Sequence, residues 1–166
     1  DKAGFLDRMD KFLTIADKHK VGVMFVLFDS VWHPEPKLGK QPAPRPGVHN
    51  SGWVQSPGAA DLKDPARRPL LEAYVRGVVG RFKDDPRVQV WDVWNEPDNG
   101  NDASYGVNGT KQEPADKREL VLALLPKAFE WARAADPAQP LTSGLWLADR
   151  KGAKDLIPIE KVQLAE

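Results

Sequence analysis

Asn95-Glu96-Pro97 closes the apolar run Val88-Gln89-Val90-Trp91-Asp92-Val93-Trp94. A carboxylic acid and a carboxamide therefore stand side by side where a strand is expected to stop, since Pro97 has no N–H to give a sheet ladder. At a strand tip both side chains can meet a polar ligand. A Glu half-buried among aromatic rings tends to stay protonated towards neutral pH, and a protonated carboxyl can hand its proton to a leaving oxygen. Asn95 brings a donor and an acceptor suited to a hydroxyl-rich ligand. The plainer alternative is a turn in which Asn95 bonds only to nearby backbone.

Tryptophan gathers in the same places. Trp32, Trp53, Trp94 and Trp146 fall at expected strand ends or in the loops after them, whereas Trp91 and Trp131 read as core. An indole face packs on the C–H face of a sugar ring and its N–H can donate. With His33 beside Trp32, the candidate substrate-binding set is Trp32, His33, Trp53 and Trp146. His33, His49, Asp29 and Glu35 have no regular metal-ligand spacing, so no metal site is expected. Asp98-Asn99-Gly100-Asn101-Asp102 lacks the Gly position and terminal Glu of an EF-hand and reads as a polar turn. No Gly-rich phosphate loop and no Gly-x-Ser-x-Gly elbow occurs, and no cofactor is expected. Asn108-Gly109-Thr110 matches an N-glycosylation acceptor.

The elements that must position these residues follow from periodicity. Phe5, Leu6, Met9, Phe12, Leu13 and Ala16 predict an amphipathic helix over about residues 3–18. Val21 to Phe28 is apolar on both faces, as buried parallel strands are. Residues 29–64 form a long Pro- and Gly-rich loop, of a length usually functional or disordered. Asp64-Pro65 caps a helix with Leu71, Val75, Val78 and Phe82 on one face. A strand over Val88–Trp94 follows, then a loop to 114. A third helix begins near Ala115 or Asp116, where Pro126 predicts a kink or break, and runs to about Ala135. Leu141 to Trp146 is a third strand candidate, and a weaker helix is expected from Ala153.

Helices and strands thus alternate, which argues for right-handed parallel βαβ units. The loops leaving the first two strands are long and those entering strands are short. That places the working surface at the carboxyl ends of the strands, as in α/β barrels and open doubly wound sheets.

Composition narrows the partners. Lys plus Arg and Asp plus Glu both number 24, and the formal net charge is zero. Neither nucleic acid nor an anionic membrane surface is indicated. There is no Cys, hence no disulfide, thiolate metal site or Cys nucleophile. The longest apolar stretch is too short to span a bilayer.

Val90-Trp91-Asp92-Val93-Trp94-Asn95-Glu96-Pro97 resembles the fourth-strand signature of clan A glycoside hydrolases, (β/α)8 barrels such as family 5 cellulases, mannanases and their relatives. Met24 to Asp29 is similar to the third strand of that clan and Pro140 to Trp146 to the fifth. The resemblance implies an α/β fold forming part of a TIM barrel, with residues 1–166 as a single incomplete barrel. It implies retaining hydrolysis of a β-linked glycan, with Glu96 as acid/base and Asn95 binding the sugar 2-hydroxyl and the nucleophile. The nucleophile would be a Glu on a seventh strand that this length does not reach, since a barrel takes about 250 residues. Asp92 is no substitute, lying about 13 Å along the strand from Glu96 at ~3.3 Å per residue.

The isolated chain is therefore expected to be inactive, and to require the remainder of the barrel or self-association to cover its sheet edges. A secreted or periplasmic location is implied by the resemblance alone. The rival expectation is a non-catalytic carbohydrate-binding or assembly module with a vestigial site.

Overall fold

The structure, a computed structural model, describes residues 1–41, 43–49, 51–101 and 113–146. Its elements run α1 (Lys2–Lys18), β1 (Val23–Asp29), α2 (Ala59–Lys63), a 3-10 turn (Pro65–Arg67), α3 (Arg68–Phe82), β2 (Val88–Asn95), α4 (Lys117–Arg133) and β3 (Leu141–Gly144). The strands form one parallel sheet in the order β1-β2-β3. This is the alternating α/β architecture that the hydrophobic pattern predicts. The weak helix expected from Ala153 lies outside the described residues.

Local chemistry sets the boundaries. Asp1 caps α1, its carboxylate accepting from the Gly4 N–H at 2.9 Å. Asp64 does the same for the 3-10 turn, accepting from Ala66 N–H at 2.9 Å. Pro126 sits inside α4 without ending it. The helix continues past it to Arg133, close to the expected end: Leu124, Leu125, Ala128 and Phe129 on either side of the proline are all buried in the core, and that packing outweighs the one lost ladder bond. Asp136 ends the following turn in the left-handed region, at φ 57°.

The helices cover one face of the sheet. Phe25, Trp91 and Leu141 lie in register across the three strands. Phe25 stacks on Trp91 with centroids 5.9 Å apart and meets Phe12 of α1 at 6.0 Å. Val75, Val79, Val121, Leu124 and Phe129 from α3 and α4 complete that core. Alternation along β1 turns Met24 and Val26 to the opposite face, where they are 55% and 45% exposed.

The long loop after β1 is an excursion that comes back. Asp29 and Ser56 exchange N–H···O bonds of 2.7 and 3.1 Å, and His33 and Val54 form a second bridge. Both ends of the loop are thereby fixed at the tip of β1.

Phe28 is 1% exposed and packs against Trp94 (5.0 Å) and Tyr74 (5.7 Å) directly before that tip. Phe28→Ala should cost about 3–5 kcal/mol of unfolding free energy, measured by urea denaturation; a loss below about 1 kcal/mol would show that this cluster does not hold the tip.

Candidate active site

Three strand tips meet in register. Asp29 pairs with Asn95, and Asn95 with Gly144. The ladder runs one step further, with Ser30 N–H donating to Asn95 O (3.1 Å) and Glu96 N–H to Gly144 O (2.7 Å). Pairing stops there, one residue before Pro97. Glu96 turns the chain out of the sheet with φ 51°, a left-handed conformation uncommon for a residue with a long side chain. Asn99 N–H closes the turn on Glu96 O at 3.0 Å. The Glu96 side chain is half-buried, and its Oε2 accepts from Asn99 Nδ2 at 2.8 Å.

Asn95 is held from β1. Its Nδ2 donates to Asp29 Oδ1 at 3.4 Å, and the same oxygen accepts from Val31 N–H at 3.0 Å. Burial pushes the Asp29 carboxyl up to about 6; the two hydrogen bonds oppose this, while Glu96 and Asp92 add to it. Burial likewise raises Asp92 to about 6, against hydrogen bonds from the Trp94 and Gly144 N–H groups. Asn95, Glu96, Asp29 and Asp92 thus form one polar cluster across two strands. Gly144 leaves the space beside it open: a β-carbon there would lie 3.5 Å from Asn95 Oδ1 and 3.7 Å from Asp92 Oδ2.

The tryptophans divide. Trp53 and Trp146 present rings that are 56% and 55% exposed. Trp53 is tied to the β1 tip through its carbonyl, which accepts from His33 N–H at 3.1 Å. Trp146 is tied to the β2 tip through its N–H, donated to Asp98 Oδ1 at 2.8 Å. His33 is half-buried, its Nδ1 accepting from Glu35 N–H. Trp32 is buried, edge-on to the His49 ring at 5.5 Å, so it offers no open face. Trp94 is buried beneath the cluster and donates its Nε1–H to Ser30 Oγ at 2.9 Å; Trp91 is fully buried, as expected of core.

Sequence reasoning missed the buried polar residues that tie the loops together: Gln55, Asn101, Glu113 and Lys117. Lys117 Nζ bonds Glu113 Oε1 (3.0 Å) and Ser30 O (2.6 Å), and Asn101 Nδ2 bonds Glu113 Oε1 (2.7 Å) and Trp32 O (2.6 Å). Gln55 Nε2 also donates to Glu113 Oε1. The only local signal was the i,i+4 spacing of Glu113 and Lys117. Among the described residues no group of three or more His, Asp or Glu gathers to hold a metal, and no helix is long and apolar enough to cross a membrane.

Acid and amide at the tip of a parallel strand, with exposed indoles on either side, agree with the family comparison. Residues 47–162 match the sequence model of glycosyl hydrolase family 10. The chain belongs to this family. Family 10 enzymes are retaining glycoside hydrolases built on a (β/α)8 barrel, so the three described strands are part of such a barrel. The clan A resemblance stands, and the family within it is family 10; a specificity like that of family 5 is not supported. No curated protein and no solved structure matches the chain.

The raised carboxyls make stability depend on pH. Both folded values, about 6, lie above the ordinary 3.8, so folding favours the protonated forms. Their contribution is complete below about pH 4 and is lost as pH rises through about 6. Asp92→Asn keeps the acceptor oxygen without the charge. Relative to the native protein it should gain up to about 3 kcal/mol between pH 4 and pH 7, read from urea denaturation at both values; a difference that does not change with pH would remove Asp92 as the source.

Proposed function

We propose that the tips of β1, β2 and β3 form part of the catalytic cleft of the family 10 barrel, acting on a β-linked glycan, with Glu96 as acid/base. In the first step the Glu96 carboxyl gives its proton to the glycosidic oxygen as the bond from that oxygen to the anomeric carbon breaks. A second carboxylate takes the anomeric carbon. In the second step the Glu96 carboxylate removes a proton from the water that displaces the enzyme carboxylate. Asn95, with its amide steered by Asp29, holds the sugar 2-hydroxyl. Trp53 and Trp146 supply open faces for sugar rings, His33 a polar contact, and Trp32 a buried wall against His49.

The observation that carries this reading is the backbone of Glu96. A left-handed non-glycine residue costs roughly 1–3 kcal/mol and persists where surrounding contacts impose it, most often at functional sites. Here the contacts are the Gly144 carbonyl and Asn99, and they turn an acid out at the end of a paired strand.

Retention needs a nucleophile about 5–5.5 Å from the acid/base. Asp29 is occupied in orienting Asn95, and Asp92 is buried within β2. We place the nucleophile on a barrel strand beyond the three described. The exposed Met24 and Val26 face is then covered by further strands or by another copy of the chain. Light scattering on residues 1–166 alone should find associated species and assays no turnover; a cooperatively folding monomer would count against this.

For the acid role, Glu96→Gln in the protein with a closed barrel should lower hydrolysis of substrates with poor leaving groups by about 10²–10⁴-fold. Activated aryl glycosides, which need no proton to leave, should lose far less in kcat/KM. Equal losses on both would remove Glu96 from the role.

A further inference from the structure

Between its two left-handed residues, Glu96 (φ 51°) and Asn101 (φ 59°), the loop leaving β2 makes a continuous run of hydrogen bonds. Asn101 N–H donates to Asn99 Oδ1 at 2.7 Å. That bond fixes which end of the Asn99 carboxamide faces which way, because the oxygen must meet the N–H. The amide nitrogen is left pointing at Glu96 Oε2, 2.8 Å away. Asn101 in turn cannot drift. Its side chain is 2% exposed and donates both to Trp32 O and to Glu113 Oε1, and Glu113 is paired with Lys117, itself 4% exposed and bonded to Ser30 O. The run therefore starts on a buried ion pair at the foot of α4 and ends on the candidate acid/base, passing the carbonyls of the β1 tip.

We propose that Asn99 is a positioning residue for Glu96, with the orientation of its amide set by Asn101 and the Glu113–Lys117 pair. The inference rests on the acid/base reading of Glu96 and deepens it. A carboxyl on a flexible side chain must present one oxygen to the leaving group; holding Oε2 from the Asn99 side leaves Oε1 free for the proton transfer. A displacement of about 1 Å at such a group can cost about 100-fold in rate.

The test compares kcat/KM on two β-glycosides in the protein with a closed barrel, one with a dinitrophenolate and one with a sugar leaving group. Asn99→Ala should lose about 10- to 100-fold on the sugar leaving group and stay within about twofold on the activated one. Asn99→Asp keeps the size and the acceptor for Asn101 but removes the donor, so it should show the same selective loss and serves if Asn99→Ala does not fold. Equal losses on both substrates would make Asn99 a merely structural residue and overturn the proposal, as would no loss on either. If Glu96→Gln itself shows no dependence on the leaving group, the acid/base reading fails. If Glu96→Gln shows it and the Asn99 variants do not, only the positioning role fails.

Discussion

The hydrogen bond from Glu96 N–H to Gly144 O, 2.7 Å long, is the constraint on which the rest of the site depends. It extends the β2–β3 ladder one residue beyond the last regular strand residue, Asn95, and so makes Glu96 both a sheet residue and a turn residue. Its donor is committed to β3 while Pro97 forces the chain out of the sheet. The left-handed backbone reconciles the two demands. Because the bond is made by main chain, it fixes the Cα of Glu96 independently of its side chain, and the carboxylate is then aimed by Asn99. Asn95, one residue earlier, is fixed by the ladder on both sides and by Asp29 on its amide.

Around this bond the loops are held by polar groups rather than by apolar packing. Gln55, Asn101 and Lys117 and the side chain of Glu113 are almost wholly out of water, and three donors converge on one oxygen of Glu113. Burying a lysine and a glutamate is costly unless the pair and its remaining groups are well bonded. Here the surplus donors go to the backbone carbonyls of Ser30 and Trp32, which have lost their strand partners at the end of β1. The network thus satisfies main-chain groups that the sheet has abandoned, as a buried loop requires. An apolar substitute could not do this, which is a physical reason for charge at these positions.

Much of the fold was legible because it is carried by periodicity. Leu71, Val75, Val78 and Phe82 gave α3, the two-sided apolar runs gave β1 and β2, and the alternation of the two gave the parallel sheet. Asn95 and Glu96 were legible as a strand end because Pro97 follows them. What escaped was everything set by long-range pairing. The burial of Trp32 depends on a loop that returns to Asp29 through Ser56. Asn99 and Asn101 were visible only as members of a polar turn, because their partners are Glu96 on one side and Glu113 on the other, separated by a loop whose path sequence does not state.

The two ends of the sheet are built on opposite principles. At the amino end, Arg87 bonds Asp85 and Asp10 at 2.6 and 2.7 Å, and Gln139 links the Trp91 indole to the carbonyls of Phe82 and Asp85. At the carboxyl end stand two carboxyls pushed up by burial, and the oxygens Asn101 Oδ1 and Glu113 Oε2, buried without a hydrogen-bond partner among the described residues. A fold that can satisfy its polar groups at one end does not lack the means to do so at the other. The unsatisfied end is where a barrel places its chemistry, and groups held short of full satisfaction there keep the capacity to bind a ligand and exchange a proton.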